Sequence, residues 1–162
     1  MKNQLTKSYL LEIFDYKDGE LFWKVDRRKT KVRSKAGRTK SNGYCEVRID
    51  GTLHGTHRII YMMVHGYMPK IIDHIDGNPS NNRIENLREA THAQNMRNSK
   101  KPIHNSSGFK GVYFHQRTNT WVAQCWVNNK KHSLGYFSDI HDAANAVSNF
   151  RKIHHKEFAK DN

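Results

Sequence analysis

The sequence predicts an α+β protein in two parts, and three observations carry that prediction. Residues 71–98 read strand, turn, strand, helix: the apolar pair Ile71-Ile72, a dense turn signal from Asp76 to Asn82, a second short strand before Ala90, and a helix opened at Thr91. Residues 109–150 read as three strands followed by a helix, with Ala143, Ala144, Val147 and Phe150 at helical spacing. Between the two, residues 100–107 have the composition of a linker. A chain of 162 residues holds one ordinary domain or two small ones. The linker favours two, over 1–100 and 108–162, joined by 101–107.

Taken in order, residues 5–14 are a short amphipathic helix candidate, with Leu10, Leu11, Ile13 and Phe14 on the apolar side. Asp18-Gly19 signals a turn, and residues 21–25 read as a strand whose Trp23 is assigned to core packing. Residues 27–40 carry eight cations, Arg27, Arg28, Lys29, Lys31, Arg33, Lys35, Arg38 and Lys40, and no acid. That run has no apolar period, so it predicts a loop or extended arm. Its charge predicts contact with nucleic-acid phosphates. Residues 44–49 alternate as a strand, Asp50-Gly51 signals a hairpin, and residues 52–55 begin the return. Residues 57–65 form an apolar helix that Gly66 stops, and Pro69 leads into the strand ending at Asp73. His57, at the head of that helix, is read as packing rather than catalysis.

The stretch 73–98 crowds a carboxylate, a histidine and several asparagines together. Thr91 with Gln94 three residues later is a capping box. Hard divalent cations take oxygen ligands, often only one or two from the protein. Asp73 offers a charged oxygen and Asn95 a neutral one. His74 can take a proton from water, because an unperturbed imidazole changes charge near neutrality. A metal, a base and open coordination positions are what phosphodiester hydrolysis requires. Neighbours on a regular strand point to opposite faces. Asp73 and His74 therefore share a site only if the strand ends or bends there, and the turn at Asp76-Gly77 provides for that.

In the order Asp73-His74-x-Asp76-Gly77, Asn81-Asn82, Asn86-Leu87 and a later Asn95, this stretch resembles the phage and intron-encoded branch of the HNH nucleases. The resemblance implies a ββα-metal fold. It also implies that Asp73 and Asn95 bind a divalent metal, magnesium with manganese as the alternative. His74 would be the general base, and Asn86 would fasten the loop that presents it. The third position of the motif is Asn95 rather than a histidine, which leaves His92, one turn away, as a rival ligand. His57-Arg58 before an apolar helix is a lead-in found in the family as well.

In the C-terminal part, residues 109–114, 121–127 and 131–137 read as strands, with a turn at Asn128-Asn129, and Ser138-Asp139 caps the helix. The pieces Gly111-Val112-Tyr113, Trp121-Val122-Ala123, Leu134-Gly135-Tyr136-Phe137, Ala143-Ala144 and His155-x-Glu157-Phe158-Ala159 resemble the plant ethylene-response-factor DNA-binding domain. That resemblance implies a three-stranded antiparallel sheet lying in the major groove, with one helix behind it. By position, Lys110, Tyr113, His115, Arg117, Gln124, Trp126, Lys131 and Ser133 would face the DNA. Strand alternation agrees, placing Val122, Gln124 and Trp126 on one face and Trp121, Ala123 and Cys125 on the other.

A formal charge of +13 and a pI near 9.9 point to a polyanionic partner, and nucleic acid leads. No apolar run is long enough for a spanning helix and no signal-peptide core opens the chain, so a cytoplasmic protein of a bacterial or phage-infected cell is expected. Cys45 and Cys125 lie far apart, which excludes a four-cysteine zinc site. The sequence thus predicts a metal-dependent endonuclease acting on duplex DNA, as a monomer or homodimer. The alternative is a non-catalytic DNA-binding regulator that retains the nuclease fold.

Overall fold

The computed structural model describes residues 5–26, 31–98, 105–155 and 158–159, and of Arg97 the backbone alone. It is a mixed α+β chain dividing into two compact units, Met1–Ala90 and Thr91–Asn162. The division falls ahead of the linker expected at 101–107, of which residues 101–104 lie outside the described residues. Among the described residues no helix is long and apolar enough to cross a membrane.

The first unit opens with helix α1 (Lys7–Ile13), whose N-terminus is capped by Thr6 Oγ1 accepting from the Tyr9 N–H at 3.3 Å. Phe14 belongs not to that helix but to strand β1 (Phe14–Lys17), which pairs with β2 (Glu20–Trp23) across Asp18-Gly19. Both turn residues have positive φ, as a tight two-residue hairpin demands. Leu10, Ile13, Phe14, Leu21 and Trp23 are buried together, whereas Leu11 faces solvent. Strands β3 (Arg38–Thr39), β4 (Cys45–Ile49) and β5 (Thr52–Gly55) make a three-stranded antiparallel sheet, with Asp50-Gly51 turning β4 into β5. Helix α2 (Thr56–His65) lays Ile59, Ile60 and Met63 into the same core. Gly66 ends it in the left-handed conformation, its N–H donating to the Met62 carbonyl at 2.9 Å. Strands β6 (Ile72–His74) and β7 (Leu87–Glu89) then pair antiparallel, with Ile72 and Leu87 closing the core.

The described part of the basic run is the loop that its composition predicts up to Arg38, where β3 begins, but the core holds it in place. Its described part, from Lys31, is tied to β2 by hydrogen bonds from Trp23 N–H to Ser34 O, Arg33 N–H to Trp23 O and Ala36 N–H to Leu21 O, and Ala36 is buried. Backbone pairing along a core strand fixes a loop that has no apolar pattern of its own.

The second unit begins with α3 (His92–Asn98), opened by the expected capping box: Thr91 N–H donates to Gln94 Oε1 at 2.7 Å and Gln94 N–H to Thr91 Oγ1 at 3.3 Å. Strands β8 (Val112–His115), β9 (Thr120–Val127) and β10 (Lys130–Phe137) form an antiparallel sheet in the order β10-β9-β8. Helix α4 (Ile140–His155) packs on one face, where Val112, Ala123, Ala143 and Val147 are the buried centre. Asp139 Oδ1 caps it, accepting from the His141 and Asp142 N–H groups at 2.7 and 3.2 Å.

Candidate active site

The β6–β7 ladder places Asp73 directly opposite Arg88. Asp73 is 4% exposed. Arg88 Nε donates to Asp73 Oδ2 at 2.9 Å, and Nη2 lies 2.8 Å from the same oxygen, close enough to balance its charge. Cross-strand opposite charges are a common device on sheets. Here the pair is buried, so losing one member would strand the other's charge in the interior.

Strand β6 ends at His74, where Gly77 N–H donates back to the His74 carbonyl at 2.8 Å. The strand thus runs one residue past Asp73, where the sequence reading ends it, and stops ahead of the Asp76-Gly77 turn. Asp73 and His74 engage different partners. The His74 ring is 5% exposed, and its Nε2 lies 3.0 Å from Oδ1 of Asn82, itself 2% exposed. An amide oxygen only accepts, so His74 Nε2 is the protonated nitrogen in this contact and Nδ1 is the basic one.

The loop between the strands is knotted by its own amides. Asp76 accepts from Asn78 N–H at 2.8 Å, Asn86 Nδ2 at 3.0 Å and Asn81 Nδ2 at 2.7 Å. Asn86 also accepts from Asp76 N–H at 3.0 Å and donates to the Asn81 carbonyl at 2.8 Å, so one side chain ties three points of the loop. Burial alone would raise the Asp76 carboxyl. The hydrogen bonds from Asn78, Asn81 and Asn86, with His74 nearby, outweigh it and hold the group below the usual carboxylate range. Outside elements pin the loop too. The Ile84 N–H donates to Tyr16 Oη at 2.9 Å, and Ser80 Oγ donates to the Gly43 carbonyl at 2.6 Å. A Cβ on Gly19 would come within 2.8 Å of Arg83 N, so the β1–β2 turn must be glycine for the loop to close on it.

His57 stands against the base. Its ring centroid is 5.3 Å from that of His74, and Tyr44 completes a cluster at 5.7 Å from His57 and 5.9 Å from His74. Burial, then the neighbouring His74 and Arg58, push the His57 pKa down to about 4. His57 is therefore neutral at neutral pH, and its Nδ1 is buried with no hydrogen-bond partner among the described residues. Gly55 makes room for it, since a Cβ there would sit 2.7 Å from His57 Cε1. The packing assigned to His57 from sequence is packing on His74. Asn82 and Arg88 carried no signal that separated them from the other asparagines and arginines of the stretch.

Of the remaining expected ligands, Asn95 is half-buried and His92 exposed, both on α3. Among the described residues no three His, Cys, Asp or Glu gather into a metal cluster. A magnesium-type ion needs only one or two protein oxygens, and the Asp73 carboxylate oriented by Arg88 is a donor of that type. The residues therefore fit such an ion.

The expected DNA contacts divide. Arg27, Arg28 and Lys29 lie outside the described residues. Lys31, Arg33 and Arg38 are exposed, whereas Lys35 is paired with Glu20 and Lys40 with Glu46 at 3.1 Å. In the second unit Tyr113, Trp126, Lys131 and Ser133 are exposed on the sheet face away from α4, with Trp126 opposite Lys131 in the ladder. Trp126 is 59% exposed, and Tyr136, not singled out from sequence, is 64% exposed on that face. Arg117 is exposed in the β8–β9 turn. Lys110 is half-buried, and His115 Nδ1 is engaged by Thr118 Oγ1 at 2.8 Å. Gln124 departs from expectation: the residue is half-buried and its Oε1 is enclosed rather than presented.

The HNH endonuclease family matches residues 54–97, a span that takes in His57, Asp73, His74, Asn82, Asn86, Arg88, His92 and Asn95. No solved structure matches the chain. Neither the family match nor the relative found supports the ethylene-response-factor resemblance of the C-terminal part. That relative is Protein 3.8 of Escherichia phage T7, to which the chain is 32% identical over 106 residues, 64% of this chain and 87% of the phage protein. With so much of the T7 protein accounted for, the chain belongs to one family with phage T7 Protein 3.8 and carries an HNH endonuclease domain at residues 54–97.

Proposed function

We propose that the chain is a metal-dependent endonuclease that hydrolyses phosphodiester bonds of duplex DNA. The observation that carries this reading is the buried His74–Asn82 contact next to the Arg88–Asp73 pair, inside the stretch that matches the HNH endonucleases. His74 Nδ1 takes a proton from water, and the water oxygen attacks the scissile phosphorus. The bond to the 3′-oxygen breaks and that oxygen takes a proton from solvent, leaving a 3′-hydroxyl and a 5′-phosphate. Asn82 holds His74 in the tautomer this step needs, and Asn86 keeps the loop closed around it. Asp73 and Asn95 would hold the ion, with His92 as the rival of Asn95. Magnesium, or manganese, supplies positive charge against the phosphate and leaving oxygens when bound. One such site per chain makes one nick per event.

The second unit serves as the reader, with Tyr113, Trp126, Lys131, Ser133 and Arg117 toward DNA. Support for this comes from an exposed aromatic and basic sheet face opposite the helix. In a phage setting the activity suits a nicking or homing enzyme. The test is nicking of supercoiled plasmid with magnesium, against EDTA and against His74→Ala. Nicking should require both the metal and His74. Tight DNA binding with no nicking under any metal would instead mark a non-catalytic DNA-binding protein.

A further inference from the structure

Beside Asn82 the first unit holds a partly open cavity of about 230 Å³. A water takes about 30 Å³ of liquid volume, so the space exceeds a single bridging water and has room for a phosphate with its hydration. Thr56 lines it. Thr56 is 3% exposed, and no described group hydrogen-bonds its Oγ1. A buried hydroxyl without a partner has lost its water for nothing in return, so it calls for a ligand. Thr56 is also the first residue of the ten-residue helix α2, whose N-cap, Gly55, has no side chain to cap it. The positive end of the helix and its first-turn N–H groups are thus left to another acceptor. Asn82 lines the same cavity, with Oδ1 on His74 and no described partner for Nδ2. Arg38 and Lys35 add cations, and the acid in the lining, Glu20, is paired with Lys35.

We propose that this cavity is a phosphate subsite. Thr56 Oγ1, Asn82 Nδ2 and the start of α2 donate to the phosphate oxygens, and Arg38 supplies the charge. Two sources share that chemistry: a backbone phosphate of the DNA strand, neighbouring the one that is cut, or free inorganic phosphate. The DNA source rests on the endonuclease reading above; phosphate binding by itself does not. Because Asn82 touches both the cavity and His74, an occupied subsite also steadies the base.

The test titrates the full chain with inorganic phosphate at fixed ionic strength and follows backbone amide resonances. Saturable shifts confined to Thr56, His57 and Asn82 are expected. Thr56→Val, which keeps the shape and removes the hydroxyl, should weaken phosphate binding at least fivefold, and Thr56→Ser should restore it. Shifts that do not saturate, or that spread over the surface, overturn the subsite. Duplex DNA binding in EDTA across a salt series separates the sources. Thr56→Val should weaken it several-fold, and Arg38→Ala should make the logarithmic salt slope shallower by about one. Unchanged DNA affinity with localised phosphate shifts overturns the DNA source. Localised shifts in a protein that nicks no DNA leave the subsite standing and overturn the endonuclease reading instead.

Discussion

The two units treat their polar groups in opposite ways. Around β6 and β7 the first unit buries a carboxylate, an imidazole and an amide, and gives each a partner held by strand register or loop knot. The sheet of the second unit keeps Val112 and Ala123 against α4 and turns Tyr113, Trp126 and Tyr136 outward. Chemistry on a bond needs a fixed proton position and a defined charge, which solvent would blur. Recognition of a large polyanion needs a face that the partner can reach. Under the proposed reading, enclosure goes with the cutting region and display with the reading one.

The sharpest break of that contrast is a pair of substitutions. His74→Ala should lower the nicking rate by about 10²–10⁴ while DNA affinity holds. Trp126→Ala should leave turnover on bound DNA unchanged and weaken binding by about tenfold, as loss of an interface tryptophan does. Single-turnover nicking and gel-shift on both variants check this, and a swap of the two effects would reverse the assignment of the units. In the same assay Asp73→Ala should abolish metal-dependent nicking, and Asn95→Ala should reduce it. A larger loss from His92→Ala than from Asn95→Ala would transfer the ligand role to His92.

Stability should follow the same divide. Arg88→Ala leaves Asp73 charged and buried, and should cost about 3–5 kcal/mol in urea unfolding. Arg117→Ala, on an exposed turn, should stay within about 0.5 kcal/mol of the parent.

A third effect is set by pH. His57 is held neutral in the folded chain with a pKa near 4, against 6.5 for an unperturbed histidine. The unfolded chain binds its proton first, so the contribution of His57 is complete above pH 6.5 and is lost as pH falls toward 4. Its size is about 3 kcal/mol at most. His57→Gln should flatten the melting temperature over that window, and an equally steep profile in the variant would show that another group carries it. A smaller loss than that of His57 lies at α3, where Thr91→Ala removes the capping hydroxyl and should cost about 1 kcal/mol, read by urea unfolding.

What was legible in the sequence was local. Asp50-Gly51 and Asn128-Asn129 mark turns because few other residues tolerate positive φ, and Thr91 with Gln94 caps a helix through atoms three residues apart. The two faces of β9 follow from a period of two. The strand–turn–strand–helix order around Asp73 was legible for the same reason. The rest depended on register and on distant packing. Nothing near position 88 marks it as the partner of Asp73; only the pairing of β6 with β7 does. Asn78, Asn81, Asn82 and Asn86 look alike in sequence, yet Asn82 alone among them faces His74. His57 reaches the base because α2 packs beside the β6–β7 loop and Gly55 leaves space. The apolar pattern extends α1 to Phe14 because an apolar residue at a helix end and one at a strand start fit the same pattern.

The Arg88–Asp73 pair also bears on the order of events after synthesis. Small domains that gather ligands without such a counter-charge fold only as the ion arrives and unfold when it is chelated. Here the chain supplies the balancing cation itself, so the newly made protein can reach its native shape in a metal-poor cell and wait there. Under the proposed endonuclease reading, ion supply would govern when the protein becomes active, not whether it survives.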